Sequence, residues 1–88
     1  MRWEWREWSL ADLKGVEPYE VTQALTAGRM IRRWVDGHVL AVVSATNTNR
    51  VLVVALYEDL DTWVIIGARE ATVAEAQAYR HAIGGELT

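Results

Sequence analysis

The chain reads as one α+β domain, a small antiparallel sheet with packed helices in the order β-α-α-β-β-β-β-α. Three observations predict this. Runs rich in β-branched and aliphatic residues follow one another from residue 29 to residue 68, broken only by short polar turns. Segments with helical spacing and recognisable start and stop residues flank those runs. The length, 88 residues, is about enough for one hydrophobic core and too short for two.

The opening Arg2-Trp3-Glu4-Trp5-Arg6 alternates apolar with charged residues, which predicts a half-buried strand with Trp3 and Trp5 inward. Residues 7–14 place Leu10 and Leu13 three apart, with Ser9 as an N-cap and Gly15 as the stop, and predict a short helix. Pro18 suits the first turn of a second helix, where its missing N–H costs nothing, and Val21, Ala24 and Leu25 form its apolar stripe up to Gly28. Residues 29–35 and 38–45 read as strands joined by Asp36-Gly37, a two-residue hairpin turn with both residues at positive φ. Thr46–Asn49 is the next turn, 50–57 the next strand, Glu58–Asp61 an acidic turn and 62–68 the last strand. Strands this continuously apolar call for cover on most of both faces, which the helices must provide. Thr72-Val73-Ala74-Glu75 has the capping-box pattern, so a helix is expected over 73–83, with Ala76, Tyr79, Ala82 and Ile83 on one stripe and Gly84-Gly85 ending it. Trp3, Trp5, Trp8 and Trp63 are expected in the core.

Composition narrows the chemistry. Hydrophobic residues are 51% of the chain and charged ones 24%, the balance of a folding domain rather than a disordered one. No run of about 18 uncharged apolar residues exists, and charges fill the N-terminus where a signal peptide needs an apolar stretch, so a soluble, cytoplasmic protein with no membrane partner is expected. Without cysteine there is no disulfide, thiolate zinc site or cysteine nucleophile. His38 and His81 lack metal-ligand spacing, Ser9 and Ser44 lack a nucleophile-elbow setting, and no glycine loop cradles phosphate; neither a metal nor another cofactor is expected. Net charge is −3, against binding a polyanion by overall field. The middle third differs, with Arg29, Arg32, Arg33 and Arg50 against Asp36 alone.

Alternation puts Arg32 and Trp34 on one face of their strand and Arg29, Ile31, Arg33 and Val35 on the other. A guanidinium beside an indole suits single-stranded RNA, which offers phosphates and stackable bases. The same pattern also suits an edge strand whose arginines deter pairing while Trp34 fills the core. Arg69 stands at the exit of the last strand, before a helix N-terminus, where an anion site or a local pair with Glu70 or Glu58 are both open. Lys14, ahead of Gly15, suits the C-terminal end of the first helix.

Three segments in order resemble the BrnT family, bacterial type II toxins with a RelE-like fold: Arg2-Trp3-Glu4-Trp5, then Lys14-Gly15-Val16-Glu17-Pro18-Tyr19-Glu20-Val21, then Val64-Ile65-Ile66-Gly67-Ala68-Arg69-Glu70-Ala71-Thr72 with Glu75 and Tyr79 downstream. The resemblance spans nearly the whole chain. It implies metal-independent RNA cleavage, a BrnA-like antitoxin protein as partner in a toxin–antitoxin hetero-oligomer, and Arg69 and Lys14 as site residues. Glu70, Tyr79 and Lys14 are the candidates for proton transfer, Tyr79 having packing against the sheet as its competing role. Arg32, Arg33, Trp34 and Arg50 are the candidates for RNA contact. The family's histidine before the glycine is absent, because Lys14, which matches the family's basic residue, runs straight into Gly15, and Gly67 stands in place of the family's serine. These differences and the acidic charge motivate the alternative of a non-catalytic module that binds an antitoxin-like protein. A self-associating homo-oligomer, suggested by the apolar strands, is a third expectation.

Overall fold

The computed structural model describes residues 2–84, so Gly85 of the predicted Gly84-Gly85 stop lies outside the described residues. The elements are β1 (Trp3–Glu4), a 3₁₀ segment (Glu7–Asp12), β2 (Leu13–Lys14), α1 (Pro18–Thr26), β3 (Met30–Trp34), β4 (Val39–Ala45), β5 (Val51–Asp59), β6 (Thr62–Glu70) and α2 (Val73–Gly84). Strands lie in the order β1-β6-β5-β4-β3, and β2 also pairs with β6. From β3 to β6 the sheet is an antiparallel meander, whereas β1 and β2 run parallel to β6. The sheet is therefore mixed rather than antiparallel throughout.

That difference originates in residues 7–14, which form no α-helix. While the chain goes from Trp3 to Leu13, its partner on β6 advances only from Trp63 to Ala68, and the 3₁₀ coil takes up the slack without reversing direction. Ser9 is no N-cap of an α-helix. Its buried hydroxyl accepts the Arg6 N–H at 3.0 Å and donates to the carbonyl of Ile65, fastening the coil to β6. Trp8 and Leu10, expected inward, are exposed, because the tighter 3₁₀ turn points them away from β6. Gly15 then reverses the chain at φ +70°, a conformation glycine adopts without steric cost.

One face of the sheet carries the core. Leu40 and Val42, Leu52, Val54 and Leu56, and Ile65 and Ala68 close against Val21, Ala24 and Leu25 of α1, the stripe expected from the sequence. Pro18 opens that helix, and Glu20 reaches back to accept the Glu17 N–H at 3.0 Å. Of the tryptophans, Trp3, Trp5 and Trp63 border the core half-buried.

The β3–β4 connection is not the two-residue turn expected. Val35 N–H bonds the Val39 carbonyl at 2.8 Å, so three residues form the loop. The Asp36 carboxylate accepts the N–H groups of His38 and Val39 at 2.8 and 3.0 Å, and Gly37 has no positive φ. The side chain supplies the turn that backbone handedness would otherwise have made.

A register shift between Ala55 and Leu56 decides which side chains reach the second face. Leu56 pairs with Ile65 but Ala55 pairs with Gly67, leaving Ile66 as an extra residue in β6. Strict alternation from Ile65 would aim Gly67 and Arg69 at the core. The bulge inverts the phase, so Ala68 is buried while Gly67 and Arg69 join the opposite face. Asp12 crosses closely there, since a Cβ on Gly67 would lie 3.3 Å from both the Asp12 Cβ and its carbonyl oxygen.

Candidate functional site

The second face is only partly covered. α2 is anchored at one end of the sheet: Tyr79 Oη donates to the Arg29 carbonyl at 2.9 Å, Arg80 Nη2 to the Asn49 carbonyl at 3.1 Å, and Arg29 Nη1 to the Ile83 carbonyl at 3.3 Å. Tyr79 is buried, but Ala82 of the expected stripe is exposed. The predicted cover on both faces is thus extensive on one face and partial on the other.

Strand register arranges the uncovered face in rows. One row runs Ile31, Val43, Val53, Arg69, Lys14, and the next runs Arg33, Ala41, Ala55, Gly67. The second row has almost no side-chain volume between its ends, so a shallow apolar hollow forms there. Arg33, Arg69, Glu75 and Tyr79 border one part of it, and Asp12, Lys14 and Arg69 border the other. Lys14 and Arg69, nominated by separate sequence segments, are direct partners in the β2–β6 pairing.

Arg69 is held rather than free. Its Nη1 and Nη2 lie 2.7 and 2.9 Å from the two carboxylate oxygens of Glu75. The guanidinium, and then the Thr72 N–H at 2.9 Å, hold the Glu75 carboxyl down at about 2, and the Glu75 carboxylate raises Arg69 further above its usual range. Glu75 N–H in turn bonds Thr72 Oγ1 at 3.1 Å, so the capping box at the start of α2 also fixes the arginine. Of the local partners expected from the sequence, Glu70 is used only through its backbone carbonyl, which accepts from Arg69 Nη1 at 3.3 Å, and Glu58 is not used.

The other nominated residues separate. Glu70 pairs with Leu52 and belongs to the core side, where it accepts from Arg50 Nε at 3.3 Å. Arg50 has its donors on protein groups, Glu20 at 2.7 Å and the Gly15 carbonyl at 2.7 Å; the carboxylates of Glu20 and Glu70 raise its pKa, and the Glu17 N–H, then Arg50, lower that of Glu20. It clamps α1 to the sheet. The face assignments of β3 follow the alternation expected: Arg33 joins Arg69, while Arg32 and Trp34 project from the core side. Trp34 does not fill the core; it is 53% exposed.

Asp12 was not legible as a site residue. It ends the 3₁₀ segment and borders the same part of the hollow as Lys14 and Arg69, a placement that depends on the docking of that coil on β6. Among the described residues no three His, Cys, Asp or Glu side chains cluster as a metal site, and no helix is long and apolar enough to cross a membrane. No family model, no curated protein and no solved structure matches the chain.

Proposed function

We propose that this domain is a metal-independent ribonuclease of the BrnT-like toxin class, acting on RNA laid over the uncovered sheet face. The observation that supports it most is the meeting of Lys14 and Arg69 as strand partners, with Arg33 across the hollow from Arg69. Two cations side by side on an apolar floor suit the equatorial oxygens of a phosphodiester, where negative charge grows in the transition state. In the proposed step the 2′-oxygen attacks phosphorus and the bond to the 5′-oxygen breaks. Asp12 takes the 2′-hydroxyl proton, and Lys14 donates one to the leaving oxygen. Glu75, held ionised by Arg69, orients the guanidinium, and Tyr79, with its hydroxyl on the Arg29 carbonyl, shapes the wall.

A second reading has its own observation. Glu75 occupies both terminal nitrogens of Arg69, and the floor is apolar, which suits a non-catalytic module covered by an antitoxin-like protein. Induced expression in a bacterial host of the wild type beside Arg69→Ala and Lys14→Ala separates the two. Growth arrest with loss of total RNA, abolished in both folded variants, supports the ribonuclease. Soluble wild type without effect on growth or RNA favours the binding module.

A further inference from the structure

On the core side of the sheet, beyond the end covered by α1, Arg32, Trp34, Leu40 and Trp63 line a second hollow. The two indoles meet at 5.6 Å between ring centroids with their planes 49° apart, leaving a wedge rather than a closed stack. Trp34, 53% exposed, has room on its outer face. Arg32 projects from the same side of β3, two residues away.

The cations of the domain divide into two kinds. Arg6, Arg50 and Arg69 are held by carboxylates, and Arg29 and Arg80 by carbonyls. Arg2, Lys14, Arg32 and Arg33 are exposed and make no side-chain hydrogen bond or ion pair among the described residues; of these, only Arg32 and Arg33 lie on β3. They leave opposite faces of β3, which is the last strand of the sheet and has a free backbone edge. A second copy adding there edge to edge would bring four unpaired guanidinium groups together, so charge opposes self-pairing at this edge. A polyanion meets both arginines favourably.

We infer that the Arg32–Trp34–Trp63 hollow is a nucleotide subsite for single-stranded RNA, with a base stacked on the exposed face of Trp34, whose other side rests on Trp63, and its phosphate on Arg32. The strand then passes over the β3 edge to Arg33 and the uncovered face. This rests on the ribonuclease reading and adds a second contact remote from the scissile bond. Trp63 and Arg69 lie six residues apart on β6, about 3.3 Å per residue, so the stacked base lies roughly 15 Å or more from Arg69, a span of several nucleotides. Stacking makes the subsite tolerant of base identity and selective for unpaired RNA.

The test uses the full chain with a labelled ten-nucleotide single-stranded RNA for cleavage, and its 2′-deoxy counterpart for binding by fluorescence anisotropy. Trp34→Leu is expected to raise KM and Kd about 5- to 150-fold, the range for losing one stacked base, with kcat unchanged. Trp34→Phe should recover part of that loss. Arg69→Ala should show the opposite split, a fall in kcat. Because Trp34 is exposed, Trp34→Leu should keep the wild-type far-UV circular dichroism, and Arg32→Gln, expected to weaken binding in the same direction, is a second probe that leaves the indoles in place. Unchanged KM and Kd in both variants, with active wild type, overturn the subsite and leave the ribonuclease reading standing. Wild type that neither binds nor cleaves the oligonucleotide overturns both and points to a protein ligand for the indoles.

Discussion

Replacing Arg50 with methionine removes three hydrogen bonds and leaves Glu20 without its cation. Arg50 Nη1 lies 2.7 Å from Glu20, Nη2 lies 2.7 Å from the Gly15 carbonyl, and Nε lies 3.3 Å from Glu70. The arms are unequal. The Glu70 side chain is 60% exposed, and such a pair contributes about 0–1 kcal/mol. The Glu20 side chain is 9% exposed, so leaving it ionised and unpaired carries a desolvation cost, offset in part by the Glu17 N–H it still accepts. With hydrogen bonds to charged groups at about 1.5–3 kcal/mol, the expected loss is about 2–3 kcal/mol. For a domain this small that is a fall in Tm of about 10–20 °C, measurable by circular dichroism or by the midpoint of a urea titration. Adding Glu20→Gln to the Arg50→Met background removes the stranded charge and should restore about 1 kcal/mol. A loss below about 0.5 kcal/mol, or a double variant weaker than Arg50→Met, would refute the clamp.

Three further outcomes follow from the geometry. Leu60 stands 94% exposed at φ +55° between β5 and β6, so Leu60→Gly should leave stability unchanged or raise it by up to about 1 kcal/mol in chemical denaturation; clear destabilisation would contradict the left-handed turn. Ser9→Ala removes the acceptor of the Arg6 N–H and strands the buried Ile65 carbonyl, and should cost about 1–3 kcal/mol in the same assay, a neutral result denying the fastening of the 3₁₀ coil. The Glu75 carboxyl is depressed from 4.5 to about 2, so the stability it contributes is fully present above pH 4.5 and is lost as pH falls towards 2. Acid titration of wild type against Glu75→Gln should therefore converge across that window, and a gap that widens on acidification would contradict the sign.

The strands, α1 and the capping box of α2 were legible because each rests on local chemistry: alternation, Pro18 at a first turn, Thr72 and Glu75 three apart. Residues 7–14 were misread because Leu10 and Leu13 mimic a helical stripe, while the deciding interaction, Ser9 with Ile65, is remote in sequence. The Asp36-Gly37 turn failed for a related reason, since the Asp36 carboxylate can close a wider loop that the dipeptide does not reveal. Of the site, Lys14 and Arg69 could be nominated singly. Their adjacency depends on a parallel pairing and on an extra residue at Ile66 whose inversion of facing is a property of the folded register. Arg50 looked like a ligand contact because its carboxylate partner Glu20 belongs to a helix far away in the chain.

The uncovered face is tested most directly by incubating purified wild type, Lys14→Ala and Arg69→Ala with single-stranded RNA in the presence of EDTA and analysing the ends of the products. The expected result is cleavage by wild type leaving 2′,3′-cyclic phosphate ends, reduced about 100-fold or more by Arg69→Ala in a protein of unchanged fold. Intact RNA with wild type, or equal cleavage by wild type and Arg69→Ala, would contradict the assignment of this face to RNA chemistry.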